Sequence, residues 1–327
     1  MKKLFKGWGF IWDILKTHSK KFILFRSWPK FSKDIGISSD SLRKFPKMAV
    51  VLQGPLNQDE DFTLETVRIY KKIFPESVKI IVSTGETENL DYLKEIEAAG
   101  ATIVLNKKPT NPGPANINLQ IISAGAGVRK AKELGAEYVL KSRTDQRIYA
   151  ANALEFLYNL TEKFPKRIIS TDYITFKYIP YSISDMTVFG HIDNMTLYWN
   201  PPLDERRPFT LDRKNMPERD FIKERVAEIY LATEFLKKIG WDLKWTVADY
   251  WQALADVFCI IDRQILDIYW HKPERHKFRE NKYLRYDALR NTDTLSFLEW
   301  FNLYANLQNK DNIPEKALNF PPHGKIS

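Results

Sequence analysis

The chain has 327 residues, of which 44% are hydrophobic and 13% aromatic, so it is long and apolar enough to bury a core rather than remain disordered. Its single cysteine, Cys259, lies in an apolar run, which excludes an internal disulfide and any cysteine-based metal site and predicts a buried thiol in a reducing compartment. The net charge is +9, but residues 1–34 carry nine Lys and Arg against two Asp, and this concentration argues against a nucleic-acid-binding body.

Residues 1–46 are predicted to form a basic, aromatic, amphipathic arm. Its cations alternate with Leu, Ile, Phe and Trp, a pattern typical of a helix lying in a membrane interface. No apolar run approaches the roughly 20 residues that span a bilayer, and the segment does not resemble a secretory signal. We therefore expect a cytoplasmic protein held peripherally on the inner membrane. The alternative is a helix packed on this protein's own core or on a second subunit.

Strands and helices alternate from residue 47 to residue 171, which predicts a parallel sheet covered by helices. The predicted elements of this part are strand 48–52, helix 63–74, strand 78–83, helix 89–99, strand 101–105, helix 116–134, strand 138–142, helix 151–164 and strand 168–171. Polar residues follow the apolar strands, and we expect them to share one rim of the sheet. They are Gln53, Thr84, Asn106 and Asp145.

The pattern changes after residue 172 and predicts a second, mixed half of the fold. Residues 173–189 are rich in aromatic and β-branched residues, which predicts strands, some of them antiparallel. The elements expected after them are helices 221–239 and 247–255, strand 257–261, an extended piece at 266–271 and a terminal helix 294–307.

Several enzyme classes lack their sequence motifs in this chain. No Walker A sequence and no Gly-x-Gly-x-x-Gly follow the first predicted strand, which disfavours P-loop nucleotide hydrolysis and dinucleotide redox chemistry. The chain also has no Gly-x-Ser-x-Gly elbow and no His-Glu-x-x-His helix, so a serine hydrolase or a zincin is not expected.

The fourth predicted strand ends in a cluster of charge formed by Lys141, Arg143, Asp145 and Arg147. A carboxylate beside cations suits a Mg²⁺ or Mn²⁺ ion that bridges an anionic diphosphate. Arg143 could instead neutralise the diphosphate directly, which would leave the metal weakly held or dispensable. The alternative is a solvated strand end with surface ion pairs.

Amide side chains follow the Pro/Gly-rich loop at 112–114 and suit hydrogen bonding to a base, a ribose or sugar hydroxyls. Simple capping and solvation are the alternative roles. Together with the strand ends, they complete the expected site for a ligand that carries a diphosphate and hydroxyl groups, which consists of Gln53, Gly54, Pro55, Thr84, Asn106, Asn116, Asn118, Gln120, Lys141 and Arg143.

Five short motifs occur in a defined order along the body of the chain. They are Val50–Pro55, Ile81–Thr84, Asn116–Gln120, Leu140–Gln146 and Tyr181–Met186 with Phe189-Gly190. In this order they resemble the WavE-type lipopolysaccharide-synthesis family. The resemblance implies a GT-A-like, Rossmann-like catalytic domain over residues 47–275, with residues 276–327 as a C-terminal helical extension. One departure from the GT-A pattern is Arg143, which stands where the first acid of the metal-binding motif is found.

The resemblance also implies roles for acids and a histidine in the second half. Asp249 lies where many GT-A enzymes carry the general base, and Asp185 and Glu228 are its rivals. His271 lies where such enzymes often place a metal-binding or phosphate-binding histidine. The alternatives are a first-turn aspartate for Asp249 and a surface histidine for His271.

The function expected from these features is transfer of a sugar from a nucleotide-diphosphate sugar to a growing bacterial surface glycan, lipopolysaccharide core or capsule, on a glycan or lipid-linked acceptor. One alternative is a nucleotidyltransferase, which predicts a glycine-rich, arginine-containing loop that Gln53–Leu56 does not supply. The other is a non-catalytic membrane-associated scaffold, against which the charged strand end and the amide cluster argue.

Overall fold

A computed structural model of the chain describes residues 27–36, 46–208, 225, 227–271 and 294–308. The arm expected at residues 1–46 is therefore described only in part, and the membrane-interface helix expected within it lies outside the described residues. The same holds for the first residues of predicted helix 221–239 and for most of the C-terminal extension.

The described chain alternates strands and helices as predicted in its first half. In order, the elements are β1 (Met48–Gln53), α1 (Phe62–Ile73), β2 (Lys79–Gly85), α2 (Leu90–Ala98), β3 (Ala101–Asn106), α3 (Ile117–Glu133), β4 (Tyr138–Arg143), β5 (Gln146–Ile148), α4 (Ala153–Lys163), β6 (Ile168–Thr171), β7 (Val188–His191), α5 (Ile192–Tyr198), α6 (Ala227–Lys238), α7 (Val247–Val257), β8 (Phe258–Ile261), β9 (Ile268–Trp270) and α8 (Phe297–Gln308).

Seven strands form one sheet in the order β3-β2-β1-β4-β7-β6-β8, and β5 pairs with β9 in a separate antiparallel ribbon. Strands β3, β2, β1 and β4 are parallel to one another, as are β6 and β8, whereas β7 runs antiparallel to both of its neighbours. This architecture confirms the predicted, mostly parallel α/β sheet with a mixed second half. The strand order reverses between β1 and β4, which is where open α/β sheets bind ligands.

Helix α3 packs unusually closely on the centre of this sheet. All six residues of β1 are buried, as its unbroken apolar run predicts. A Cβ atom added to Gly127 of α3 would lie only 2.4 Å from Cγ1 of Val51 and 3.2 Å from Cβ of Ser83. Glycine at 127 therefore lets α3 approach β1 and β2, and this contact sets the position of the first turns of α3 beside the strand ends.

The prediction of strands throughout residues 173–189 is wrong. Only Val188 and Phe189 of this segment belong to a strand, β7, and the rest is irregular and mostly buried. Ile174 and Tyr181 have φ values of 50° and 61°, a left-handed conformation that interrupts extended backbone. The aromatic and β-branched composition thus reflects burial rather than strand pairing, because both demand the same residue types.

Two short elements were not predicted from the sequence. Strand β5 has three residues and helix α5 has seven, and neither length gives a readable periodicity. Cys259 lies fully buried in β8, and burial raises the pKa of its thiol, as expected for a side chain that fills the core.

The described parts of the two terminal segments contact the central fold. Trp300 of α8 donates from Nε1 to the carbonyl oxygens of Leu254 and Phe258, both at 2.9 Å. At the other end, the Arg147 guanidinium donates to the carbonyl of Lys30 at 2.8 Å. The division into arm, catalytic domain and extension stays a prediction. Within the described ranges, no helix combines the length and the apolar character that crossing a bilayer requires.

Candidate functional site at the strand ends

A cavity of about 180 Å³ opens where β1, β2 and β3 end. Its lining includes five residues of the predicted nucleotide-sugar site, namely Gln53, Gly54, Pro55, Thr84 and Asn106. The parallel register explains their convergence, because Gln53 pairs with Ser83, and Gly85 pairs with Asn106, at the carboxyl ends of adjacent strands. Three of the four residues of the predicted rim, Gln53, Thr84 and Asn106, therefore line one cavity, whereas Asp145 is not part of its lining.

The polar side chains of this cavity are held in fixed orientations by their own hydrogen bonds. Gln53 donates from Nε2 to Oγ of Ser123 at 2.9 Å, which leaves its Oε1 buried without a protein partner. Asn106 donates from Nδ2 to the carbonyl of Thr84 at 2.8 Å, and Thr84 donates from its hydroxyl to Glu88 at 2.8 Å. The amide orientations are thus fixed by the fold, as a preformed ligand site requires.

Gly54 lies where the loop after β1 contacts the loop after β4. Its φ is 129°, and a Cβ added there would lie 2.9 Å from Oγ1 of Thr144. Thr144 donates from its backbone N–H to the carbonyl of Gln53 at 3.2 Å and from its hydroxyl to the carbonyl of Pro55 at 2.6 Å. These contacts connect the cavity to the charged end of β4 at the point where the strand order reverses.

Arg143 and Asp145 form a bidentate ion pair after β4. The distances are 2.8 Å from Nε to Oδ1 and 3.1 Å from Nη2 to Oδ2, and the indole N–H of Trp270 donates to Oδ2 at 3.0 Å. The side chains are 27% and 14% exposed, respectively. Two of the five guanidinium N–H groups of Arg143 are occupied by Asp145, so the remaining ones can bind an anion without breaking the pair.

Lys141 lies in the interior rather than in the cavity. It is fully buried, donates from Nζ to the backbone carbonyl of Asp185 at 2.7 Å, and lies over the Trp199 ring at 4.5 Å. Burial lowers the pKa of Lys141 to about 7, because the ammonium is desolvated, and the attraction of Asp185 offsets this only in part. The structure does not bring Lys141 to the strand-end cavity.

The three amides of α3 and its preceding turn also lie away from this cavity. Asn118 is buried and bonds both backbone groups of Asp204, donating to the carbonyl at 2.8 Å and accepting from the N–H at 2.7 Å. Gln120 donates to Oδ2 of Asp185 at 2.5 Å. Asn116 is exposed at the N-cap of α3 with φ of 63°. The hydrogen bonds of Asn118 thus fix the loop that contains Asp204. The sequence could not distinguish this structural role from ligand binding, because an amide side chain suits both.

The three candidate bases fall into two separate environments. Asp249 accepts hydrogen bonds from the Tyr181 hydroxyl, from the Trp241 indole at 3.2 Å and from the backbone N–H of Lys244 at 3.1 Å. Asp185 and Glu228 are 4% and 8% exposed. Burial raises the pKa of the Tyr198 phenol, and the charges of Asp185 and Glu228 raise it further, so both acids lie near that ring.

The two predicted metal ligands contact each other through their backbones, since the N–H of His271 donates to the carbonyl of Asp145 at 2.9 Å, but their side chains have different partners. The His271 ring stacks on Phe62, with centroids 4.8 Å apart, and its Nε2 lies 2.6 Å from Oδ2 of Asp59. The Asp145 carboxylate is instead occupied by Arg143 and Trp270. Across the part of the chain that the structure describes, no group of three or more His, Cys, Asp or Glu could hold a metal ion. The described arrangement therefore does not fit a metal centre.

Ser123 and Glu88 are among the polar residues of the cavity that the sequence did not indicate. Ser123 lies in the middle of α3, where a serine gives no signal, although the glycine four residues later fits a helix pressed against the sheet. Glu88 lies in the turn after β2, and its carboxylate also accepts from the backbone N–H of Leu56 at 3.1 Å.

No curated protein matches the sequence. Among solved structures, the chain is similar to a cytidylyltransferase from Leptospira borgpetersenii serovar Hardjo-bovis (9% identity, 86% of this chain and 100% of that chain, TM-score 0.37). It is also similar to the mannosyltransferase PcManGT from Pyrobaculum calidifontis in complex with GDP-Man and Mn²⁺ (13% identity, 67% of this chain and 77% of that chain, TM-score 0.36). A third similar structure is S. aureus TarS in complex with UDP (14% identity, 64% of this chain and 70% of that chain, TM-score 0.35).

The family comparison covers most of the chain. A family model described as WavE lipopolysaccharide synthesis matches residues 48–321, which include the whole sheet, the strand-end cavity and the described C-terminal helix. The match confirms the resemblance carried by the five ordered motifs and extends it beyond residue 275. The chain therefore belongs to the WavE lipopolysaccharide synthesis family.

Proposed function

We propose that this protein is a glycosyltransferase that moves a sugar from a nucleotide-diphosphate sugar to a bacterial surface glycan. The observation that supports it is the cavity of about 180 Å³ at the ends of β1, β2 and β3, beside the point where the strand order reverses, lined by Gln53, Thr84 and Asn106 and connected through Gly54 to the charged end of β4. Nucleotides bind at this place in open α/β sheets because the strand ends leave a crevice there. Membership of a lipopolysaccharide synthesis family supports the choice of transfer chemistry.

The nucleoside occupies the cavity in this proposal, and Arg143 binds the diphosphate. Gln53 offers a buried Oε1 that lacks a protein partner, and Lys107 and Lys108 add positive charge at the cavity rim. Arg143 keeps its ion pair with Asp145 and uses its remaining N–H groups on the departing diphosphate. Stabilising the charge that develops on the leaving group is the largest contribution expected from the protein.

A carboxylate removes the proton from the acceptor hydroxyl as the new glycosidic bond forms. Asp249 is the preferred base because it is more exposed than Asp185 or Glu228, so that an acceptor hydroxyl can reach it. Such a base contributes about 10² to 10⁴ in rate. In this proposal Arg143 neutralises the charge of the diphosphate without a metal ion. The assay is therefore run both with and without Mg²⁺ or Mn²⁺, the ions that the fold family implies.

The acceptor in this proposal is a lipopolysaccharide core or capsule glycan, free or lipid-linked, at the inner membrane surface. The basic aromatic arm would hold the enzyme there. A capsule acceptor, the membrane contact and the cytoplasmic location all stay predictions.

The test is a screen of UDP-, GDP- and CDP-sugars for binding and hydrolysis, each with Mg²⁺, with Mn²⁺ and with EDTA. We expect one nucleotide class to bind and its sugar to be released slowly into water. Asp249→Asn should lower transfer at least about 100-fold without weakening nucleotide binding. Arg143→Met should weaken nucleotide-diphosphate binding by about tenfold or more while leaving nucleoside binding unchanged. Absence of binding for every nucleotide sugar would reject the proposal.

A further inference from the structure

A second cavity, of about 90 Å³, lies between the N-terminal segment 27–36 and the β5–β9 ribbon. Its walls are the rings of Trp28, Phe62, Tyr149 and Tyr269, and its rim carries Lys30 and Glu60. Trp28, Tyr149 and Tyr269 are only partly buried, and all three line the cavity. We call this the aromatic cavity. Neither the proposed nucleotide site nor the proposed base uses it.

The walls of the aromatic cavity are rigid. The Arg147 guanidinium lies over the Phe62 ring at 4.3 Å and donates to the Thr66 hydroxyl at 2.9 Å and to the Phe62 carbonyl at 2.9 Å. Trp28 donates from its indole N–H to Asp267 at 2.9 Å, and its ring centroid lies 5.6 Å from that of Tyr269. A site with rings fixed in this way loses little side-chain entropy when a ligand binds.

The charged groups that line the cavity have protein partners. Nζ of Lys30 lies 2.5 Å from Oε1 of Glu60, and Nε2 of His271 lies 2.6 Å from Oδ2 of Asp59. The Arg147 guanidinium makes four hydrogen bonds to protein oxygens, those of Thr66, Lys30, Tyr149 and Phe62. Because the ammonium and the guanidinium already have partners, a neutral ligand is favoured over a phosphate or an ammonium group. The carboxylates and the Lys30 ammonium still offer acceptors and donors to hydroxyl groups. Aromatic faces combined with charged hydrogen-bonding groups suit a polyhydroxylated ring, whose C–H face packs on the aromatic surface.

The cavity also lies next to the candidate catalytic region. On β9, Trp270 contacts Asp145, whereas its neighbour Tyr269 lines the aromatic cavity, so one strand separates the two. The backbone N–H of His271 donates to the carbonyl of Asp145 at 2.9 Å, which fixes this spacing. Successive side chains of a strand point to opposite faces, so the aromatic cavity and the proposed diphosphate site lie on the two sides of β9.

We infer that the aromatic cavity is a subsite for the acceptor glycan, holding one neutral sugar ring against Trp28 and Tyr269 with its hydroxyls on Glu60 and Lys30. This inference rests on the proposed function. The small volume means that the cavity grips one face of the ring, while the rest of the glycan lies along the surface. It also assigns a role to the end of the N-terminal segment, which completes the subsite rather than serving only as a tether.

The test uses the full chain and a named probe, the core oligosaccharide released from bacterial lipopolysaccharide by mild acid and freed of lipid. Saturation-transfer NMR and calorimetry would measure its binding to the wild type and to Tyr269→Ala, Trp28→Ala and Tyr269→Phe. Phe301→Ala is the matched control, because Phe301 is an aromatic residue 42% exposed on α8. Circular dichroism would confirm folding, and a nucleotide titration would be run on every variant.

We expect the wild type, Phe301→Ala and Tyr269→Phe to bind the oligosaccharide. Tyr269→Ala and Trp28→Ala should bind at least tenfold more weakly, with unchanged nucleotide affinity. Undiminished oligosaccharide binding in both alanine variants would overturn the inference, and so would a wild type that binds anionic vesicles but no oligosaccharide. Failure of the proposed function has a different signature, because nucleotide binding would then be absent from the wild type.

Discussion

Lys141→Met should stabilise this protein and remove part of its pH dependence. The unfolded lysine holds its proton up to a pKa near 10.5, whereas burial brings the folded value to about 7. Between these values the unfolded state binds more protons, so the free energy of unfolding rises with pH by up to about 1.4 kcal/mol per pH unit. Over the whole interval the change amounts to about 5 kcal/mol. Below pH 7 the buried ammonium of Lys141 therefore lowers the free energy of unfolding by about this amount.

The substitution also carries a cost. It leaves the backbone carbonyl of Asp185 without the hydrogen bond from Nζ, a loss of about 1–3 kcal/mol. The net expectation at pH 7 is therefore a gain of about 2–4 kcal/mol, since methionine fills a similar volume against Trp199.

Urea unfolding of the wild type and the variant at pH 7, 8, 9 and 10 measures both quantities. The matched control is Lys132→Met, because Lys132 is 54% exposed on the same fold. The wild type and the control should gain stability from pH 7 to pH 10, and the Lys141→Met variant should gain markedly less. An identical pH slope in the Lys141→Met variant and the wild type would refute the assignment of a desolvated ammonium at 141.

Two further predictions concern packing and charge. Gly127→Ala should lower the free energy of unfolding by about 1–3 kcal/mol, because its Cβ would lie 2.4 Å from Val51, whereas Gly36→Ala has open space and should change little in the same urea assay. Glu299→Gln should lower the free energy of unfolding by about 3–5 kcal/mol by removing the negative charge that pairs with the buried Lys177 ammonium at 2.6 Å. Burial raises the pKa of Glu299, but hydrogen bonds from Lys177 and Ser296 bring it below its ordinary value. The wild type should thus lose this stability as the pH falls through that lowered pKa, and an acid titration in which the variant loses as much would contradict the pairing.

The parallel half of the fold could be predicted from the sequence because it satisfies a simple rule. Apolar runs such as Met48–Leu52 are buried on both faces, and polar residues at their ends fall on one edge whenever the strands are parallel. The convergence of Gln53, Thr84 and Asn106 follows from that rule alone.

The second half could not be predicted in the same way. Burial and strand pairing select the same aromatic and β-branched residues, so the irregular segment before β7 carried a false strand signal. The antiparallel position of β7 between β4 and β6 depends on tertiary contacts that no local pattern encodes.

The candidate site was predictable in its residue types but not in the directions of its side chains. Lys141 and Arg143 are two positions apart on β4, and the same pattern of cations allows both to face a ligand. Burial of Lys141 against Trp199 and pairing of Arg143 with Asp145 are decided by neighbours that come from distant parts of the chain.

Calorimetric titration of a cavity-filling variant tests the central claim most directly. Leu119 lines the strand-end cavity from α3, and Leu119→Trp would fill it without removing a side-chain hydrogen bond. Leu134→Trp, at the exposed end of the same helix, is the control. We expect the nucleotide-diphosphate sugar that the wild type binds to bind the control equally well and Leu119→Trp at least tenfold more weakly, with both variants folded. Equal nucleotide affinity in the wild type and the folded Leu119→Trp variant would show that the donor binds elsewhere.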